Sequence, residues 1–317
     1  MIEFTLLGTS ALLPLPDRAL TAGFLRCMGR GILFDCGEGT QAAARRAGVS
    51  LMDCDIIALT HYHGDHIFGL PGMMQTLFSM GRTLPLTILG PEGLHNAMAP
   101  ILSLAGSLSY PVFLREAGKN ETLALKDLCP SWHAEASLTA IATSHRVPSR
   151  GYAFVLRRGG RFLPQKAEAL GLPRQMWGLL QKGETVTVDG RAVTPQEVTG
   201  PPRRGLKAVF SGDTMPCPAL TEHAAGADLF VCEGTYGEDA DAALAAERGH
   251  MTFAQAGQTA RDAGAERLWL CHYSQRLTDP EACLPAARAF FPDAVCGTDG
   301  MRILLVFSDG GEEKENA

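Results

Sequence analysis

The chain reads as an α/β protein built in layers. Two observations predict this. Short apolar runs of strand character recur through its 317 residues, and segments with helical spacing stand between many of them. An apolar content of 46% supplies a large core, enough for one large domain or two ordinary ones.

The elements follow in order. "IEFTLL" alternates as a strand should; "GILFDCG", "DIIALT" and "LTILG" continue the series. Later strand candidates are "SLTAIATS", "GYAFVLR", "LKAVFSGDT", "ADLFVCEGT", "RLWLCHYS" and "RILLVF". Helical patterns lie in "GTQAAARRAG", "GLPGMMQTLFSMG", "EGLHNAMAPILSLAG", "TFAQAGQTARDAG" and "PEACLPAARAFF". The uncharged stretch 96–114 contains two prolines and three serines, so it is expected as helix and loop against a core, with no membrane span. "MIEFTLLG" has no basic segment ahead of an apolar one, so no signal peptide is expected. Nine scattered cysteines without a CxxC are expected as free thiols, and the expected location is the cytoplasm.

Charge is unevenly spread. Residues 151–207 hold ten basic side chains against four acidic ones, a net of +6. Since the whole chain carries −6, the remainder carries −12. The overall acidity alone argues weakly against a nucleic-acid partner, but a basic excursion on an acidic body does not.

The nine histidines are also clustered. His61, His63 and His66 stand with Asp65 inside six positions of "ALTHYHGDHIFGLPG". The cluster begins where "DIIALT" ends and precedes a helical segment, the usual place for chemistry in an α/β protein. Imidazoles and a carboxylate suit Zn²⁺ or a similar divalent ion. Four ligands so close in sequence would crowd one tetrahedral ion. A pair of ions would need more ligands from other strand ends. His145 ends "LTAIATSH", Asp213 ends "KAVFSGD" and His272 ends "RLWLCH". His95, His133 and His223 have no such company and are expected to be surface or structural residues.

"THYHGDHIFGLPG" resembles the HxHxDH signature of the metallo-β-lactamase superfamily. Taken with "SHRVPSRGY", "FSGDT", "VCEGTYGED", "GHMTFAQAG" and "CHYSQR" in that order, the sequence resembles the ribonuclease Z family over nearly all of residues 1–307. The resemblance implies a four-layer αββα sandwich, a single domain over 1–307 with a protruding basic arm at about 155–205. The polar tail 308–317 is expected to be disordered. The resemblance further implies two Zn²⁺ per subunit, with Mn²⁺ or another divalent ion as a substitute. His61, His63 and His145 would hold one, Asp65, His66 and His272 the other, and Asp213 would bridge them. Di-iron oxidoreductases of this fold typically carry Glu where His63 stands, so His63 favours hydrolysis over redox chemistry.

The implied activity is removal of the 3′ trailer of precursor tRNA, leaving a 3′-hydroxyl. Metal-bound water with a pKa lowered to about 7 would supply the nucleophile. By the family pattern Asp65 is the general base, His250 in "RGHMT" the proton donor and Glu233 in "VCEGT" its orienting partner. A competing reading makes His250 only a neighbour of the helix "TFAQAGQTARDAG", capped by Thr252. Ser274 and Arg276 beyond His272, and Arg146 and Arg150 beside His145, are candidate phosphate contacts. Arg174 and Lys182 are candidates in the arm.

In the family the arm grips the tRNA elbow, and the arm of one subunit serves the site of the other. Precursor tRNA and a second copy of the chain are therefore the implied partners, with no membrane. The family's GxPxGP-type arm motif is altered here. "GLPRQMWGLLQKGE" keeps Gly171 and Pro173, but Arg174 to Trp177 replace the second Gly-Pro. Trp177 is expected to pack the arm's own core in preference to stacking on RNA. "DCGEGTQ" is expected to be a connecting turn near the floor of the site.

Other functions would use some of the same residues. A phosphodiesterase of small or cyclic phosphodiesters, or a thioester or lactone hydrolase, would need the metals but not the basic arm. A catalytically dead RNA-binding protein would not need the complete ligand set.

Overall fold

The computed structural model describes residues 1–308. Its main strands form two seven-stranded sheets. One runs in the order Arg302–Leu305, Ile2–Gly8, Ala22–Cys27, Arg30–Phe34, Cys54–Ala58, Leu86–Gly90, Val112–Glu116. Its pairing is antiparallel up to Arg30–Phe34 and parallel beyond. The other runs Val295–Cys296, Leu268–Cys271, Leu229–Glu233, Arg203–Phe210, Arg150–Arg158, Ala136–Ala142, Glu121–Ala124.

Alternation along the strands sorts side chains between two faces. Leu33 joins the cluster that holds Ala44, Met73 and Met98 from the helices Thr40–Arg46, Leu70–Ser79 and Leu94–Ala105. Its neighbour Phe34 points the other way and stacks on Phe210 of the second sheet, ring centroids 5.3 Å apart. Phe34 also meets Tyr152 at 6.0 Å, and Phe4 meets Trp269 at 6.3 Å. The outer face of the second sheet packs on Pro218–Ala224, Phe253–Ala263 and Leu284–Arg288. The layers are therefore helix, sheet, sheet, helix, the αββα arrangement that the family resemblance implies.

The uncharged stretch 96–114 lies in the helix Leu94–Ala105, a connection and the edge strand Val112–Glu116. Among the described residues no helix is long and apolar enough to cross a membrane. All nine cysteines are free thiols. The expected disorder at 309–317 falls outside the described residues.

The chain divides into two compact units, Met1–Val155 with Leu206–Ala317, and Leu156–Gly205. The smaller unit has its own core of Ala167, Leu172, Leu180, Val186, Val193 and Val198. The altered arm motif is helical here, over Arg174–Gln181. Trp177 packs against Phe162 at 5.3 Å and donates its ring N–H to the Leu172 carbonyl at 3.1 Å, so it belongs to this core. Arg174 lies over the Trp177 ring and beside Glu168. Lys182 is exposed at the helix's C-cap.

Phe210→Ala would remove one ring of the stack between the sheets. It should cost about 3–5 kcal/mol of stability. Guanidinium unfolding would register this as a lower midpoint with an unchanged slope.

Candidate metal centre and active site

The seven candidate ligands come from the loops, and in the case of Asp65 and His66 the short helix Gly64–Ile67, that follow the ends of strands, and the fold brings all seven together. His61, His63, Asp65 and His66 follow Cys54–Ala58; His145 follows Ala136–Ala142; Asp213 follows Arg203–Phe210; His272 follows Leu268–Cys271. Among the described residues five groupings place their ligand atoms within 4.8 Å of one another; two of them are His61, His63 and His145, and Asp65, His66 and His272, and the others join His61, His66 and Asp213, His145, Asp213 and His250, and Glu233, His250 and His272. Asp213 stands between the first two. Its Oδ2 lies 3.7 Å from His61 Nε2 and 3.4 Å from His66 Nε2, and its Oδ1 lies 3.2 Å from His272 Nε2.

Each of four histidines has its Nδ1 fixed by an oxygen. Thr60 Oγ1 lies 3.0 Å from His61 Nδ1, Asp35 Oδ2 2.8 Å from His66, the Gly249 carbonyl 2.8 Å from His145 and Thr235 Oγ1 3.0 Å from His272. The opposite nitrogens thus face the shared space. There His66, His145 and His272 Nε2 and Asp213 Oδ1 are buried without a hydrogen-bond partner. Buried polar atoms are ordinarily satisfied. A convergent set of nitrogen and carboxylate donors left unpaired fits divalent cations, and the outer oxygens are the supports that metal-bound histidines usually have.

Burial holds His61, His63 and His145 below the ordinary imidazole pKa, toward the neutral form that binds a metal. Burial also opposes charge on His66, but Asp213 and Asp35 outweigh it and draw its pKa up. A bound cation would take the place of that proton. Burial alone would raise Asp213, yet the imidazoles around it hold it well below the carboxylate range.

Glu233, at the end of Leu229–Glu233, accepts from the backbone of Thr214 and Met251 and from Thr235 Oγ1. Its Oε1 lies 2.9 Å from His250 Nδ1. Burial disfavours charge on His250, but Glu233 overrides it and pushes the pKa up to about 9. Glu233 thus favours the protonated imidazole and accepts from its Nδ1–H. Thr252 does cap the helix Phe253–Ala263, in a capping box with Gln255, and His250 stands free of that duty.

A cavity of about 590 Å³ opens here. His63, Asp65, His145, Asp213, His250 and His272 line it, as do Arg146 and Ser274. Arg276 is exposed close by, its N–H donating to Ser274 Oγ. Arg150 needs a correction as a substrate contact. It is buried, and its guanidinium donates to the carbonyls of Ala117 and Ser149, so it supports loops and cannot reach a phosphate. His95 and His133 are exposed and His223 is half-buried, all outside the cavity lining.

Sequence reasoning missed several site residues. Asp35, in "DCGEGTQ", is fully buried and fixes both His66 and Thr60, whose N–H and Oγ1 donate to it at 2.7 and 2.8 Å. The signal was available, since Asp35 directly follows an apolar strand, even more closely than Asp213, which stands three residues past its own. Thr235 bridges Glu233 and His272, and Leu12, Phe68, Tyr236 and Arg248 line the cavity. Among the described residues, three of the six non-glycine residues at positive φ are Leu12, Asp35 and His272, so backbone strain collects at this site.

The fold and this centre define a protein of the metallo-β-lactamase class. The metallo-beta-lactamase superfamily profile matches residues 18–78, and a beta-lactamase superfamily domain profile matches residues 179–273. Ribonuclease Z of Lachnoclostridium phytofermentans is 41% identical over 97% of this chain and 99% of its own length. Ribonuclease Z of Lachnospira eligens is 39% identical over 98% and 100%. The crystal structure of human tRNase Z, short form, aligns with a TM-score of 0.67 at 26% identity, covering 96% of this chain and 100% of that one. The chain belongs to the ribonuclease Z family, hydrolytic endoribonucleases of the metallo-β-lactamase superfamily.

Asp35→Asn keeps the shape but weakens the hold on His66. Competition with a chromophoric chelator should show divalent-ion affinity reduced roughly 10- to 100-fold.

Proposed function

We propose that this protein removes the 3′ trailer of precursor tRNA by hydrolysis, using a pair of zinc ions, and leaves a 3′-hydroxyl on the tRNA. His61, His63 and His145 would hold one ion and Asp65, His66 and His272 the other, with Asp213 between them. Such ions, when bound, would make hydroxide available near neutral pH and would stabilise charge at the phosphate.

The protein's own groups do the rest. Asp65 faces the cavity and orients the attacking water, taking its proton at a carboxylate oxygen. His250 gives a proton from Nε2 to the departing 3′ oxygen, while Glu233 fixes the ring through Nδ1. That His250–Glu233 pair, with His250 lining the same cavity as His63, Asp65, His145, Asp213 and His272, is the observation that carries this reading. A 3′-alkoxide is a poor leaving group and needs an aimed acid.

The excess of basic residues in 151–207 supports an RNA substrate, because structured RNA is gripped largely by backbone and shape. Arg174 and Lys182 are exposed there, Lys182 at a helix end and Arg174 beside Glu168 and over the Trp177 ring, and both would meet phosphates, while Arg146, Ser274 and Arg276 serve the scissile region. The same reading has the protein act in the cytoplasm as a homodimer, each arm serving the partner's site.

Asp65→Ala should abolish cleavage of a 3′-extended tRNA, and equal processing by wild type and variant would refute the assignment. Glu233→Gln should lower kcat by about 10²- to 10⁴-fold through His250. Deleting residues 160–200 should abolish tRNA cleavage and spare hydrolysis of bis(p-nitrophenyl) phosphate. Intact tRNA cleavage in that variant would favour a general phosphodiesterase.

A further inference from the structure

The mouth of the cavity is partly apolar, which metal chemistry on a phosphate does not require. Phe68 is 70% exposed, Leu12 65% and Leu13 47%, and all three line this one cavity. Scattered exposed apolar residues mean little, but a group at the rim of a polar site marks a binding surface.

The rim is built rigidly. Phe68 caps the short helix Gly64–Ile67, its N–H donating to the Gly64 carbonyl at 2.9 Å. The residues on either side, Ile67 and Gly69, are buried, and Gly69 donates to the Cys36 carbonyl at 2.9 Å. The Phe68 ring lies over Gly64, where an added Cβ would come within 2.4 Å of the ring edge. One part of the ring thus rests on backbone while most of it faces solvent. Leu12 is fixed differently. Its backbone is in the left-handed region at φ 64, and its N–H donates to Asp65 Oδ2 at 2.9 Å. That bond ties the Leu12 backbone to the edge of the catalytic centre. Ser10 Oγ donates to the Leu13 carbonyl at 2.6 Å and secures the next residue.

An immobilised aromatic face beside a phosphodiester site suits a nucleobase, because every base offers a π-face and stacking tolerates any sequence. The side of the cleaved bond follows from charge and proton donor. His250 has Tyr236 beside it, ring centroids 6.4 Å apart, and Arg248 lines the same wall. If His250 protonates the oxygen that stays with the tRNA, the tRNA-side nucleotide lies toward that polar wall. Leu12 is bonded to Asp65, and Phe68 caps the short helix that carries Asp65, so with Leu13 they fall to the trailer side.

We propose that Phe68, with Leu12 and Leu13, forms an apolar seat that stacks the first nucleobase of the trailer and so positions the scissile phosphate. This rests on the endoribonuclease reading above. It adds a positioning and substrate-binding role for three residues that neither hold metal nor transfer protons.

The test uses the full-length protein with Zn²⁺ and three 3′-extended tRNAs: one natural, one abasic at the first trailer nucleotide, and one abasic at the last tRNA nucleotide. In wild type, loss of the first trailer base should lower kcat/KM about ten-fold. Phe68→Ala should show a similar loss on the natural substrate and no further penalty when that base is missing. Phe68→Tyr should restore the dependence on the base. The seat is overturned if wild type is indifferent to the first trailer base, an arm that needs no variant to fold. It is overturned equally if Phe68→Ala keeps the full abasic penalty, or if Phe68 couples to the last tRNA base instead. Failure of wild type to cut the natural substrate overturns the endoribonuclease reading and the seat together, whereas cleavage without base dependence overturns the seat alone.

Discussion

A buried convergence of imidazole nitrogens on one carboxylate, Asp213, is the constraint on which the rest of the structure depends. Three of the facing nitrogens and one Asp213 oxygen have no partner within the protein. Unpaired buried polar atoms are expensive, and removing any one histidine would leave the others still unpaired. The fold accommodates this by carrying the site on loops while the sheets below carry the stability. Aromatic rings from both sheets interlock between them, and helices close the outer faces, through Leu and Met on one side and largely Ala on the other. The loops are then held by supports behind the ligands, namely Asp35, Thr60, Glu233 and the Gly249 carbonyl, and by Thr235 at the cavity wall.

The strained residues fit the same logic. Asp35 and His272 both sit at positive φ, at the turn where a strand becomes a site loop. Non-glycine residues adopt that region at a cost of about 1–3 kcal/mol, and a rigid scaffold is needed to sustain it. The same turns aim the His66 support and the His272 ring into the centre. Gly37 shows the tightness of the packing, since an added Cβ would lie 2.0 Å from the Asp65 carbonyl oxygen.

Much of this is legible in the sequence, and the reason is local. Apolar strands such as "DIIALT" and "KAVFSGD" end abruptly in ligand-type residues, so strand and ligand can be read together. Helices with clear spacing, such as Phe253–Ala263, are readable for the same cause. The edge strands Val112–Glu116 and Glu121–Ala124 are not, because they are short, half-exposed and carry charges. Asp35 is hidden for another reason: its partners, Thr60 and His66, are 25 and 31 residues away, and only the fold joins them. Arg150 misleads in the opposite direction. Its place beside His145 in the sequence suggests a phosphate contact, but the backbone between them turns its guanidinium into the interior. The apolar rim escapes notice because exposed Leu and Phe carry no signal until a cavity is seen beside them.

The central claim is that the seven converging side chains hold two divalent cations. Elemental analysis of zinc-replete protein, combined with anomalous scattering from its crystals, tests it most directly. The account predicts two ions per chain, one beside His61, His63 and His145 and one beside Asp65, His66 and His272, each within reach of Asp213. A chain with no bound ions, or with ions located away from these residues, would contradict it.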